Sequence, residues 1–224
     1  MKYNWLLFDA DDTLFDFSRA EAKALKWTLE QAGLHFEPEY PSLYARLNQQ
    51  VWQEFERGIV TSQELRIKRF RLFLQETGLN SDPQIISPLY LQNLALGTDL
   101  LADADEVVHT LQKRYHLALV TNGLKDVQRP RLERSSLHDC FEKVFISEEM
   151  GASKPSRTYF EIVFSGIDQP PREKVLIIGD SLSSDMQGGL GFGIHTCWYN
   201  PKQNTTTLAL NYQIRSLREL LSLL

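Results

Sequence analysis

The sequence predicts an α/β fold: a Rossmann-like parallel sheet with helices on both faces, plus an inserted all-α domain. Short, continuous apolar runs recur at Trp5-Leu6-Leu7-Phe8, Leu117-Ala118-Leu119-Val120, Val144-Phe145-Ile146 and Val175-Leu176-Ile177-Ile178. Such runs are the mark of strands buried on both faces. A fifth lies at His195-Thr196-Cys197-Trp198-Tyr199, and segments of helical periodicity near 104–114, 125–136 and 157–167 separate most of them. Strands alternating with helices make a parallel sheet covered on each side. The stretch from about 18 to 97 has no strand pattern and reads as helical throughout.

That stretch divides into four segments ending near Gly33, Gly58, Gly78 and Gly97. Glycine accepts the left-handed backbone that commonly follows a helix. Ser18-Arg19-Ala20-Glu21 and Thr61-Ser62-Gln63-Glu64 have capping-box spacing, and Asp82-Pro83 places an N-cap before a proline. Pro88 is expected to kink or interrupt the fourth segment, and Pro130 to delay or kink the helix after the second strand. The expected division is a core of residues 1–16 and 99–224 around a helical domain of 17–98. The closing segment Ser216-Leu217-Arg218-Glu219-Leu220-Leu221 reads as one more capped amphipathic helix.

Composition excludes several function classes. A net charge of -5 leaves no electrostatic footprint for a nucleic-acid polymer or an anionic membrane. No run approaches the ~18 apolar residues of a membrane span. The apolar run after Met1-Lys2-Tyr3-Asn4 is too short for a signal peptide and lacks a small-residue cleavage site. Cys140 and Cys197, each beside an aromatic residue, read as buried or half-buried thiols of a reducing compartment. A cytoplasmic protein is expected, with a small phosphorylated substrate as its partner; the sequence leaves the oligomeric state open, and a monomer is compatible with it.

In an open parallel sheet, ligands bind outside the carboxyl ends of the strands. Those ends carry Asp9, Asp11 and Asp12 after the first run, and Thr121, Asn122 and Gly123 after the second. Gly151-Ala152-Ser153-Lys154-Pro155 follows the third, and Gly179-Asp180-Ser181 the fourth, with Asp185 close behind. Carboxylates and other oxygens suit Mg2+, a hard cation. Asp9 and Asp180 can supply carboxylates and Asp11 its backbone carbonyl, with Asp185 nearby. Asp9 is then the candidate nucleophile on phosphorus. Asp11, two residues on, is placed to protonate the leaving oxygen and later deprotonate water. Thr121, Asn122 and Lys154 offer a hydroxyl, an amide and an ammonium to the phosphoryl oxygens. Each of these signals alone is commonplace in turns and caps; their joint order along the strand ends is not.

At these residues the chain resembles the haloacid-dehalogenase-like hydrolase superfamily over essentially its whole length. Asp9-Ala10-Asp11-Asp12-Thr13 resembles the first motif, Thr121-Asn122 the second and Lys154-Pro155 the third. Gly179-Asp180-Ser181-Leu182-Ser183-Ser184-Asp185 resembles the fourth, and the insert resembles the α-helical cap. Phe8–Phe15, Ile146–Gly151 and Thr196–Asn200 are similar to one branch, the pyrimidine nucleoside 5′-monophosphate phosphatases. The resemblance implies a Mg2+-dependent 5′-nucleotidase with Asp9 as nucleophile and Asp11 as acid/base. Asp11 favours oxygen leaving groups, because a dehalogenase lacks that second acid. Ala102-Asp103-Ala104-Asp105 departs from the Pro-Gly-Ala turn common where the chain re-enters the core.

Phe15, Phe17, Trp52, Phe55 and Arg69 are candidate substrate contacts, with Trp52 and Phe55 also fitting a buried stripe with Leu47 and Val51. The alternatives are a phosphatase of other small esters, a phosphomutase and a non-enzymatic phospho-acceptor domain. The order of motifs speaks against the last, because there the acceptor aspartate ends a later strand.

Overall fold

The computed structural model describes residues 2–224. Six strands form one sheet: β1 (Trp5–Phe8), β2 (His116–Thr121), β3 (Lys143–Ile146), β4 (Val175–Gly179), β5 (His195–Tyr199) and β6 (Tyr212–Ile214). Their order is β3-β2-β1-β4-β5-β6, and every pairing is parallel. The chain therefore starts in the middle of the sheet, builds β2 and β3 outward on one side, and returns to build β4 to β6 on the other. The switch falls at β1, between β2 and β4, where the strand order reverses.

The alternation of side chains along β1 divides the core of this sheet in two. Leu6 and Phe8 face a cluster that includes Val107, Val108 and Leu111 of helix α5 (Ala104–Leu111). Trp5 and Leu7 face Tyr159, Phe160 and Val163 of α8 (Arg157–Gly166) and Phe192 of α9 (Gln187–Phe192). Each fully buried Leu, Ile or Phe there contributes on the order of 1.5–3 kcal/mol. Cys140 and Cys197 are buried free thiols in this core. No described helix is long and apolar enough to cross a membrane.

The compact unit around the sheet comprises the chain up to Asp16, Leu100–Lys125 and Leu132–Leu224; a second, helical unit comprises Phe17–Asp99 and Asp126–Arg131. The helical unit is built from α1 (Phe17–Gln31), α2 (Tyr40–Glu56), α3 (Ser62–Thr77) and α4 (Pro83–Leu94). Tyr44, Phe70 and Tyr90 pack their rings at its centre, with centroids 5.1–5.2 Å apart. It also takes in part of α6 (Lys125–Arg134), which the sequence reading leaves with the core.

Local signals are met unevenly. Thr61 and Glu64 form the expected capping box, and Asp82 caps α4 by accepting the Gln84 N–H at 2.8 Å. Ser18, in contrast, lies inside α1, and Glu21 is buried and accepts a hydrogen bond from Asn48 Nδ2 at 2.7 Å. Pro88 and Pro130 sit inside continuous helices. Gly97 lacks a left-handed backbone; a Cβ there would meet Ala20 Cβ at 2.5 Å, so it serves close packing of α1 against the end of α4. Asp103 takes the left-handed conformation before α5, with φ 65°.

Helix α9 approaches the sheet through Gly189, where an added Cβ would lie 2.7 Å from Ile177 and 2.9 Å from Thr196. Gly191 of the same helix faces open space. Gly189→Ala should therefore destabilise the protein by about 1–3 kcal/mol, while Gly191→Ala should be neutral or stabilising. Urea unfolding of the two variants separates close packing from helix propensity.

Candidate active site

Asp9 follows β1 directly, and its N–H still bonds Ile178 O of β4 at 2.9 Å. The sheet ladder thus fixes where this carboxylate begins. The chain then turns tightly, with the N–H groups of Leu14 and Phe15 both bonding Ala10 O. Asp12 adopts φ 57° in this turn, a left-handed backbone that Asp tolerates better than most residues. The turn delivers the Thr13 hydroxyl between two acids. It lies 3.2 Å from Asp9 Oδ2 and 3.4 Å from Asp180 Oδ1, and accepts the Asp180 N–H at 3.1 Å.

Lys154 is the hub. Its ammonium, 1% exposed, donates to Asp9 Oδ1 at 2.6 Å, Asp185 Oδ1 at 2.7 Å and Val120 O at 2.8 Å. All three donor hydrogens are engaged. Asp185 reaches this point from a wide π-helical turn, Leu182–Met186, and its Oδ2 accepts the Ser181 N–H at 3.2 Å. Gly179 makes room for it, since a Cβ there would lie 2.2 Å from Asp185 Oδ2.

Asn122 holds the main chain of another strand end. Its amide nitrogen donates to Lys154 O at 2.9 Å, and its amide oxygen accepts the Lys154 N–H at 2.8 Å. The side chain clamps the Lys154 main chain. Ser147, at the start of α7 (Ser147–Met150), donates in turn to Asn122 O at 3.0 Å. Thr121 ends β2 with its hydroxyl buried, accepting the Gly123 N–H at 3.0 Å.

Asp9, Asp180 and Asp185 each place a carboxylate oxygen within 4.8 Å of the others. Two of these carboxylates bond the Lys154 ammonium and the third is bonded elsewhere, so in their ionised forms the three acids outweigh the ammonium. Burial pushes Asp9 up to about 7 against the pull of Lys154, with Asp185 and Asp11 adding to the rise. Burial likewise pushes Asp180 up to about 8, helped by Asp9, Asp185 and Asp12. At Lys154, burial disfavours the ammonium, but Asp185 and Asp9 outweigh it and hold the group above its ordinary range. An all-oxygen donor set carrying excess negative charge suits a hard divalent cation. Asp11 is half-buried beside this trio, and its carboxylate is not one of the three.

The candidate substrate contacts divide between the two units: Phe15 belongs to the one around the sheet, and Phe17, Trp52, Phe55 and Arg69 to the helical one. Phe15 is 1% exposed and packed in the sheet core. Arg69 is buried in the helical unit, donating to Asn48 Oδ1 at 3.2 Å with its guanidinium 5.0 Å from the Tyr90 ring. Trp52 is half-buried and packs edge-on against Phe55. Phe17, half-buried at the start of α1, lies 5.9 Å from the Arg131 guanidinium. Thr13 and Ser147 belong to the acid–ammonium network and carry no role in the sequence reading. A Thr four residues beyond the first Asp, in a turn too short to point it elsewhere, is the signal for Thr13.

A parallel sheet with a carboxylate trio and a lysine at its carboxyl edge defines a class of hydrolase, and the comparisons agree. Residues 6–199 match the family model for haloacid dehalogenase-like hydrolases, and the chain belongs to that family. YfnB of Bacillus subtilis (strain 168), described as a HAD-hydrolase, is 39% identical over 100% of this chain and 96% of its own. The magnesium-bound crystal structure of YfnB, which reveals interdomain movement in that protein, matches with a TM-score of 0.93 at 37% identity, covering 100% of this chain and 99% of YfnB. The pyrimidine 5′-nucleotidase PynA of Streptococcus pneumoniae (strain ATCC BAA-255 / R6) is 36% identical over 100% of this chain and 96% of its own. The pyrimidine 5′-nucleotidase YjjG of Escherichia coli (strain K12) is 31% identical over 100% and 99%.

Charge compensation by Lys154 has a pH signature. In metal-free buffer at pH 8.5, Lys154→Met should cost about 3–5 kcal/mol, because Asp9 and Asp185 lose the ammonium bonded to both, with Asp180 close by. At pH 5.5 the loss should shrink. Asp9 and Asp180, whose folded-state values lie at about 7 and 8, are then protonated and the repulsion is gone. Equal losses in urea unfolding at both pH values would count against compensation.

Proposed function

We propose that the protein is a Mg2+-dependent phosphatase of nucleoside 5′-monophosphates, pyrimidine ones foremost, acting through an aspartyl-phosphate on Asp9. Residues 17–98 are its cap domain. The observation that carries the chemistry is the Asp9 carboxylate held between the Lys154 ammonium and the Thr13 hydroxyl, within 4.8 Å of Asp180 and Asp185. The names of PynA and YjjG, at 36% and 31% identity over the whole chain, support the substrate class.

Asp9, Asp180 and Asp185 would hold the cation, with the main-chain carbonyl of Asp11 as a further oxygen. A bound Mg2+ offsets the excess carboxylate charge and that of the phosphate dianion.

The chain's own groups do the rest. An Asp9 oxygen attacks phosphorus while the bond to the nucleoside 5′-oxygen breaks. The electron pair leaves on that oxygen, which takes its proton from the Asp11 carboxylic acid. Water then attacks the same phosphorus, gives its proton to the Asp11 carboxylate, and Asp9 departs as a carboxylate. Lys154 favours the ionised form of Asp9 against the effect of burial and aims its carboxylate. Thr121 offers its hydroxyl hydrogen to a phosphoryl oxygen, and Asn122 acts through its clamp on Lys154. Such pre-positioned donors supply most of the catalysis in phosphoryl transfer.

Phosphate release from a panel of nucleotides and sugar phosphates, with Mg2+ and with EDTA, tests the reading. Release from pyrimidine monophosphates, abolished by EDTA, is expected. Asp9→Asn should reduce turnover by at least about 10⁴-fold, the scale of a lost nucleophile. Release from sugar phosphates alone would sink the substrate class, and isomerisation without free phosphate would make the protein a mutase.

A further inference from the structure

Asp180 is the first residue beyond β4, so its peptide has left the sheet ladder. Both of its main-chain groups are nonetheless satisfied by side chains. The N–H donates to Thr13 Oγ1 at 3.1 Å, and the C=O accepts the indole Nε1–H of Trp198 at 2.8 Å. Trp198 stands on β5 directly beside Gly179, its partner in the β4–β5 register, and is 3% exposed. An indole N–H can only donate and a carbonyl can only accept, so the polarity of this contact is unambiguous.

We infer that Trp198 is a positioning residue: its indole N–H fixes the Asp180 peptide, and thereby aims the Asp180 carboxylate at the cation site. The inference rests on the proposed Mg2+ site and assigns a residue that holds one wall of it. Buried tryptophans commonly find a carbonyl for their N–H, and packing alone would account for a large ring in this core. What separates the two roles is the partner. The carbonyl belongs to one of the three clustered acids, at a peptide where the backbone has no ladder to hold it. Without the indole N–H, Asp180 loses one of these two main-chain contacts and keeps the one to Thr13; a carboxylate that then reaches its ligating position in only a fraction of the population binds a cation more weakly by that fraction. Losses of about 10–100-fold are usual when an outer partner of a metal ligand is removed.

The test replaces the N–H and keeps the shape. Site-specific incorporation of 3-benzothienylalanine at position 198 puts sulfur where the indole nitrogen stands, with the bicyclic ring intact. Trp198→Phe is the simpler companion. Mg2+ binding is read by isothermal calorimetry on the full chain, and turnover is followed against Mg2+ concentration.

The expected result is Mg2+ affinity at least about ten-fold weaker in both variants, with turnover approaching that of the unmodified protein at saturating Mg2+. The thermal midpoint of the benzothienylalanine protein should be nearly unchanged. Mg2+ affinity within two-fold of the unmodified protein in the benzothienylalanine variant would overturn the role of Trp198, whatever Trp198→Phe does to stability. Absence of Mg2+ binding by the unmodified protein is a different failure, overturning the metal site and this inference with it.

Discussion

The Lys154 ammonium gives its three hydrogens to Asp9, Asp185 and Val120 O, out of reach of solvent. Everything else at the carboxyl edge of the sheet depends on that placement. Removing an ammonium from water is costly unless its partners are charged and well aligned. Asp9 and Asp185 meet this condition, so the ion pair is self-consistent only where strand ends bring two acids together. Asn122 and Ser147 then fix the Lys154 main chain, which keeps a long, flexible side chain in one geometry. Asp180 is the acid left outside the ammonium's direct reach, and burial raises its pKa. The imbalance is what suits the edge to a cation and then to a phosphate.

Topology explains why these groups meet. Starting at β1 in the middle of the sheet and reversing direction puts β2 on one side of β1 and β4 on the other. Asp9 therefore has Thr121 and Asp180 as neighbours at equivalent ends of adjacent strands, although more than a hundred positions separate Asp9 from either. The insertion between β1 and β2 leaves this arrangement untouched, because chain exit and re-entry occur near Asp16 and Leu100.

Much of this was legible in the amino-acid order, and the unread parts have physical causes. Strands β1, β2 and β4 announce themselves as apolar runs because both of their faces are covered. The edge strand β6 does not, since only Ile214 of its three residues is buried. Asp9, Lys154, Asp180 and Asp185 are visible as polar residues after strands, but the pairing of Lys154 with two of them is a fact of three dimensions. Asn122 reads as a ligand for phosphoryl oxygens because an amide suits that task. Its actual hydrogen bonds go to a main chain 32 residues away. Glu21 fits a local capping pattern, and Asn48 of the next helix claims it instead. Phe15 follows the acidic turn, yet it packs inward, and no local pattern encodes that direction.

The central claim is that Asp9 is the residue that becomes phosphorylated. Acid-quenching the protein during turnover of a pyrimidine 5′-monophosphate and reducing it with borohydride converts an aspartyl-phosphate to homoserine, which peptide mass spectrometry locates. The account predicts homoserine at position 9, dependent on substrate and absent in Asp9→Asn. Homoserine at any other acid, or active turnover with none formed at position 9, would contradict it.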